Sequence, residues 1–266
     1  MNIRRAYADL AHGQVHHAEC GDVSAPAVLL LHQTPRSWAE YRAVLPLLGT
    51  RYRALAMDTA GFGNSDGLSG PASIEAWAGV AAALLQTLGI AQAHVVGHHT
   101  GGVIAVELAA RHAHCVRSLV LSSTPYTDEA FRRARAEHPP IDAVQPSGDG
   151  EHLALLWRRR QAFYPARRPD LLHAFVADAL KVQGDVEAGH RVVASYRMED
   201  RIDAITQPTL VIRAPDDPFA GPHAADWLQR LPQARLIEIA GGMVPLPDQL
   251  PEAFAQAVIG FLDALN

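Results

Sequence analysis

The sequence predicts an α/β architecture in which a mostly parallel sheet lies between layers of helices, with one helical insertion. Three observations carry that prediction. A continuous apolar run at 26–31 has the composition of a strand buried on both faces, and further strands are read at 93–97, 116–121 and 208–213. Helical patterns stand between them, and strict alternation of the two specifies parallel strands joined by right-handed crossovers. The rhythm stops once, between 124 and 205, where no convincing buried strand occurs.

Taken in order, residues 4–10 and 14–20 are separated by His12-Gly13 and read as an N-terminal β-hairpin. The run 26–31 opens into His32-Gln33-Thr34-Pro35, a helix is expected over 38–48, and 52–58 forms the next strand. The loop from Asp58 to Asp66 is rich in turn formers. Ser73 then caps a helix that puts Ile74, Trp77, Ala78, Ala81, Leu84, Leu85 and Leu88 on one apolar face and stops at Gly89. Strand 93–98 runs into the corner Gly97-His98-His99-Thr100-Gly101 and leaves it as a helix over 100–111, before the strand 116–121. The insertion is divided by Pro139-Pro140, Pro165 and Pro169. Its arginines, Arg132-Arg133, Arg158-Arg159-Arg160 and Arg167-Arg168, are balanced by acids and read as solvated helix faces, with one arginine able to reach a substrate carboxylate. Alternation resumes with strand 208–213, loop 214–218, a helix near 223–231, strand 234–239, loop 240–248 and a last helix over 252–265. Residues 1–123 and 206–266 therefore form one core, with 124–205 inserted into it.

Composition narrows the function classes. With 266 residues, 48% hydrophobic and 19% charged, the chain suits one globular core. A net charge of -5 without a basic segment argues against nucleic acid as a partner. Only Cys20 and Cys115 are present, which argues against a disulfide framework or a thiolate metal site and points to a reducing cytoplasm. Neither a signal-peptide core nor a membrane-spanning apolar run is found, so a soluble protein is expected.

Together the motifs resemble the α/β-hydrolase fold superfamily over nearly the whole chain. His32-Gln33-Thr34-Pro35 resembles its His-Gly-x-Pro oxyanion loop, Asp58 to Ser65 its D-x-x-G-x-G-x-S loop, and Gly97 to Gly101 the G-x-Ser-x-G nucleophile elbow. Leu210 to Pro218 resembles the strand and loop that present the acid, and Gly241-Gly242-Met243-Val244-Pro245 the Gly-Gly-His-x-Pro loop. The resemblance implies an inserted helical cap at 124–205, as in the epoxide hydrolase, haloalkane dehalogenase and esterase branches. It also exposes three departures: His99 replaces the nucleophile, Met243 replaces the base, and Gln33 replaces the oxyanion-loop glycine. Of the triad only the acid remains, Asp217, with Asp216 beside it as second candidate.

An imidazole on the elbow reaches further than a serine hydroxyl, so a collapsed His99–Asp217 dyad is expected, with His99 as general base. Backbone N–H groups of Thr100 and of Thr34 or Gln33 remain for an oxyanion. Three readings follow: hydrolysis of a small ester, lactone, epoxide or C–C bond, with His99 as base or as covalent nucleophile; proton abstraction by a lyase, isomerase or cyclase; or a catalytically silent binding protein. No cofactor is implied. The 14 histidines include no H-x-x-x-H or H-E-x-x-H helix spacing with a nearby acid, so no metal is expected at His32, His98 and His99, and His98 takes a packing role. Trp38 and Phe219 are read as packing, Trp157, Phe163, Tyr164 and Tyr196 as cap core, Asp58 and Ser65 as loop supports, and His190 and His223 as surface residues.

Overall fold

The computed structural model describes residues 2–265. Its strands are β1 (Arg4–Leu10), β2 (Gly13–Cys20), β3 (Ala27–Leu31), β4 (Arg53–Met57), β5 (Ala93–His98), β6 (Val116–Ser122), β7 (Thr209–Arg213) and β8 (Arg235–Glu238). They form a single sheet in the order β1-β2-β4-β3-β5-β6-β7-β8. The β1–β2 hairpin runs antiparallel on β4, and the other neighbours are parallel. This is the mostly parallel sheet expected from the sequence.

Alternate residues of the central strands face opposite layers, as the pleat requires. Leu29, Leu31, Val95, Leu119 and Leu121 pack in one apolar cluster with the helices α2 (Ile74–Thr87) and α3 (Thr100–Arg111). Val28, Leu30, Val96, Val120 and Ile212 pack in a second cluster with α1 (Val44–Leu48) and α10 (Pro251–Asp263). Burial on both faces explains why these strands read as continuous apolar runs rather than alternating ones.

The helix expected over 38–48 is two pieces, a 3-10 turn at Trp38–Tyr41 and α1. Pro46 explains the break: it has no N–H to continue a helix entering from Arg42, and it is tolerated in the first turn of a new one. Between β6 and β7 lie α4 (Glu129–Ala136), α5 (Glu151–Gln161), α6 (Pro169–Ala179) and α7 (Ala188–Ser195), with no strand. Then come α8 (Ala224–Arg230) and α9 (Leu246–Gln249). Among the described residues no helix is long and apolar enough to cross a membrane.

The sheet reverses its strand order between β3 and β5. Crevices of this kind, outside the carboxyl ends of the strands, are where open α/β sheets bind ligands. The loop after β3 carries Gln33 and Thr34, and the corner after β5 carries His99.

Candidate active site

The corner between β5 and α3 is built by close backbone approach. A Cβ on Gly97 would lie 2.3 Å from the Gly101 carbonyl oxygen, and one on Gly101 would lie 1.9 Å from that of Leu31. Only glycine fits either place. Between them His99 adopts φ 48 and ψ -114, in the positive-φ region that non-glycine residues seldom enter. Its N–H donates to Ser122 O at 3.0 Å, which anchors the strained turn to β6.

From that turn the imidazole reaches the loop after β7. His99 Nε2 lies 2.7 Å from Asp217 Oδ2, although neither atom makes an aligned hydrogen bond. The contact is therefore close but bent. Asp217 is 1% exposed, whereas Asp216 is exposed, which separates the two acid candidates. Asp217 Oδ1 accepts the Phe219 and Ala220 N–H groups at 2.9 and 3.2 Å. Burial alone would raise the Asp217 pKa, but His99 and the backbone donor outweigh it and hold the carboxyl at about 2. With Nε2 occluded beside Asp217 and the side chain 13% exposed, the open nitrogen of His99 is Nδ1.

His98 turns away from the cavity. Its Nε2 donates to Val244 O at 2.8 Å and its Nδ1 accepts from Ser122 Oγ at 3.0 Å. Burial and then the neighbouring His99 push its pKa down to about 3, so this ring is neutral. His32 is equally committed: Nε2 accepts the Thr59 N–H at 2.9 Å and Nδ1 lies 2.8 Å from Gln33 O. Neither ring has a free nitrogen to offer a metal.

The two loop donors differ. The Gln33 N–H and side-chain Nε2 both donate to Glu40, at 2.9 and 2.6 Å. Thr34 N–H has only a long 3.4 Å approach to Thr100 Oγ1, and Thr100 N–H has no protein partner among the described residues. Of the two oxyanion alternatives at the loop, Thr34 is thus the one with its donor unspent. Met243 is half-buried and donates its N–H to Gln249 Oε1 at 2.8 Å. Its loop adjoins the acid loop through the Asp216 N–H to Gly242 O bond of 3.0 Å.

Gln33, Thr34, His99 and Thr100 line a chamber of about 110 Å³ together with Phe131, Arg135, Arg160, His190 and Phe219. It shares Phe131, Arg135, Ile141 and Phe219 with an outer cleft of about 900 Å³. Two readings of the sequence are corrected here. His190 is on the chamber wall, not the surface, with Nε2 2.8 Å from Asp142 Oδ2. Arg160 belongs to no solvated face: it is 3% exposed and paired to Asp142 through Nε at 2.7 Å. Phe219 packs as expected, edge-on to Phe163 at 4.6 Å, and also lines the chamber. Sequence gave no signal for these, because Asp142 and His190 lie 48 residues apart. By contrast Tyr196 is buried with its hydroxyl on Glu107 at 2.7 Å, and Tyr164 lies in the apolar cluster of α5 and α6. Asp58 accepts N–H groups from Trp38 and Asn64, and Ser65 Oγ donates to Asp58 O, so these residues brace their loop. His223 approaches Asp226 at 3.3 Å on the rim of the outer cleft.

The family model described as alpha/beta hydrolase fold matches residues 26–243. RutD of Azorhizobium caulinodans is 28% identical over 245 residues, which cover 85% of this chain and 87% of that protein. Epoxide hydrolase 3 of Xenopus tropicalis is 33% identical over 129 residues, 47% of this chain and 34% of that longer protein. Among solved structures, the enol-lactonase of Burkholderia xenovorans LB400 superposes with a TM-score of 0.81 at 24% identity, over 97% of this chain and 100% of that one; at that identity the likeness shows the fold.

Proposed function

The chain belongs to the alpha/beta hydrolase fold family, and from that premise we propose that it hydrolyses a small organic substrate, with His99 as general base and Asp217 positioning it. The substrate bond is that of an ester, lactone, epoxide or C–C hydrolase. One observation carries this reading: an imidazole on the strained elbow, Nε2 2.7 Å from a buried carboxylate and Nδ1 open to the chamber. The relatives support it at the level of reaction class, since an epoxide hydrolase is among them.

In this mechanism Asp217 fixes the imidazole with the Nε2 proton toward its carboxylate. Nδ1 then takes a proton from water as the water oxygen attacks the substrate. For a carbonyl substrate, the developing oxyanion accepts from the Thr34 and Thr100 N–H groups, each such donor contributing roughly 3 kcal/mol to the transition state. Serine- and aspartate-ester mechanisms are ruled out, because no such residue stands at the elbow. The domain boundaries follow the same reading: 124–205 is the cap, 1–123 and 206–266 are the hydrolase core, and Met243 fills the position of the displaced base. Two free, buried cysteines suit a cytoplasmic enzyme.

The test is a panel of small esters, lactones and epoxides followed by mass spectrometry. Products carrying the elements of one added water support hydrolysis. A product isomeric with its substrate, or smaller by elimination, assigns the same base to proton abstraction instead.

A further inference from the structure

The chamber is lined by a second histidine, and it too is paired with a carboxylate. His190 of α7 places Nε2 2.8 Å from Asp142 Oδ2, and Asp142, on the segment between α4 and α5, has no exposed surface. Arg160 grips the same carboxylate, with Nε 2.7 Å from Oδ1 and Nη2 against Oδ2, and stacks on Phe175 at 5.0 Å. Burial would raise the Asp142 pKa, yet Arg160 and His190 hold it well below the usual carboxylate range. Glu187 accepts the Ile141 and Asp142 N–H groups at 3.0 and 2.6 Å and pairs with Arg135 at 3.3 Å. The charged groups around His190 are thus Asp142, Arg160, Glu187 and Arg135 from the insertion, with His99 also lining the chamber.

A proton on Nε2 is accepted by Asp142 Oδ2 at 2.8 Å, the shorter of its two contacts, while the Arg160 Nη2 donor stands 3.1 Å from the same nitrogen. His190 keeps 14% of its side chain exposed and lines the chamber, so Nδ1 is its working nitrogen. His99 and His190 therefore repeat one arrangement on the lining of one chamber, each with Nε2 against a buried aspartate.

We propose that His190 is a second catalytic residue, the general acid that protonates the leaving group, with Asp142 and Arg160 as positioning residues. This rests on His99 being the base. Water's oxygen forms the new bond to the substrate carbon and loses a proton to His99 Nδ1. As the bond to the leaving heteroatom breaks, that atom takes its electron pair and the Nδ1 proton of the His190 imidazolium. Solvent returns a proton to His190 and removes one from His99, so one water is consumed. The substrate class implied is one with a basic leaving group, the alkoxide of an alkyl ester or lactone, because such a group departs only when protonated; a nitrophenolate needs no acid.

The experiment compares wild type, His190→Gln, His190→Ala and His99→Ala on the para-nitrophenyl and ethyl esters of the same short acid. Glutamine can still donate to Asp142, so His190→Gln keeps the local hydrogen bond. It should lose about 10² to 10⁴ in kcat on the ethyl ester, the usual worth of an acid catalyst, and little on the nitrophenyl ester, whose turnover also reports that the variant is folded. Imidazole added to His190→Ala should restore ethyl-ester turnover. Equal losses on both esters, or a rise in KM alone, would assign His190 to substrate binding and overturn the proposal; so would no loss on either. His99→Ala should lose both esters, and a failure of that arm alone strikes the base assignment rather than the acid.

Discussion

An imidazole in place of a hydroxyl at the elbow changes which groups can touch. A triad spreads its parts over three loops, whereas His99 closes the distance to Asp217 by itself, at 2.7 Å. The adjacent rings divide the work: His98 is spent on Val244 O and Ser122 Oγ, leaving His99 as the ring with an open nitrogen. Asp217→Asn should lower kcat by about 10² to 10⁴, the range for a base deprived of its orienting partner. Asn can still accept the Phe219 and Ala220 N–H groups, so a thermal melt near wild type is expected alongside the kinetic loss. The carboxyl's depressed pKa also has a stability consequence. Its contribution is present above the unfolded value of 3.8 and lost as pH falls through about 2, so an acid titration of wild type and Asp217→Asn should converge below that window.

At the scale of elements, the strand–corner–helix unit depends on glycines for specific contacts rather than general flexibility. Gly101→Ala drives a Cβ into the Leu31 carbonyl, which is backbone and cannot rotate away. A loss of about 3 kcal/mol is expected, the upper end for an overpacked core. Gly79, inside α2, meets nothing within 4 Å, and Gly79→Ala should instead stabilise by about 0.5–1 kcal/mol. Urea denaturation of both variants checks the contrast. These elements were legible in the sequence because each is written locally: Ser73 caps α2 with its hydroxyl on the Ala76 N–H at 3.1 Å, and the apolar runs mark strands buried twice. The broken helix at 38–48 was less legible because Pro46 suits the start of one helix as well as the end of another.

Across the whole molecule, the insertion is fastened to the core by a buried charge cluster beside the loop after β3. Arg36 pairs with Asp178 of α6 at 3.0 Å, Asp248 of α9 at 2.7 Å and Glu40 at 3.8 Å, while being itself fully buried. Glu40 receives both Gln33 donors, and burial pushes its pKa up to about 7 against the pull of Arg36. A raised pKa contributes stability that is full below the unfolded value of 4.5 and is lost as pH rises through 7. Glu40→Gln should therefore gain on wild type in melting temperature as pH is raised across that window, measured by thermal melts in matched buffers.

That cluster and the Asp142–Arg160–His190 group are the parts of the site that the sequence did not disclose. Their members come from separate helices and loops, carry no periodicity and meet only when the insertion closes over the sheet. The His99 corner, the Asp217 loop and the Gln33–Thr34 loop were readable because each lies at the end of its own strand. Their joint use is tested most directly by kcat/KM of His99→Ala on a substrate that wild type hydrolyses. A general base makes the expected fall about 10² to 10⁴ with the fold intact by circular dichroism, whereas full turnover by the folded variant would contradict the account.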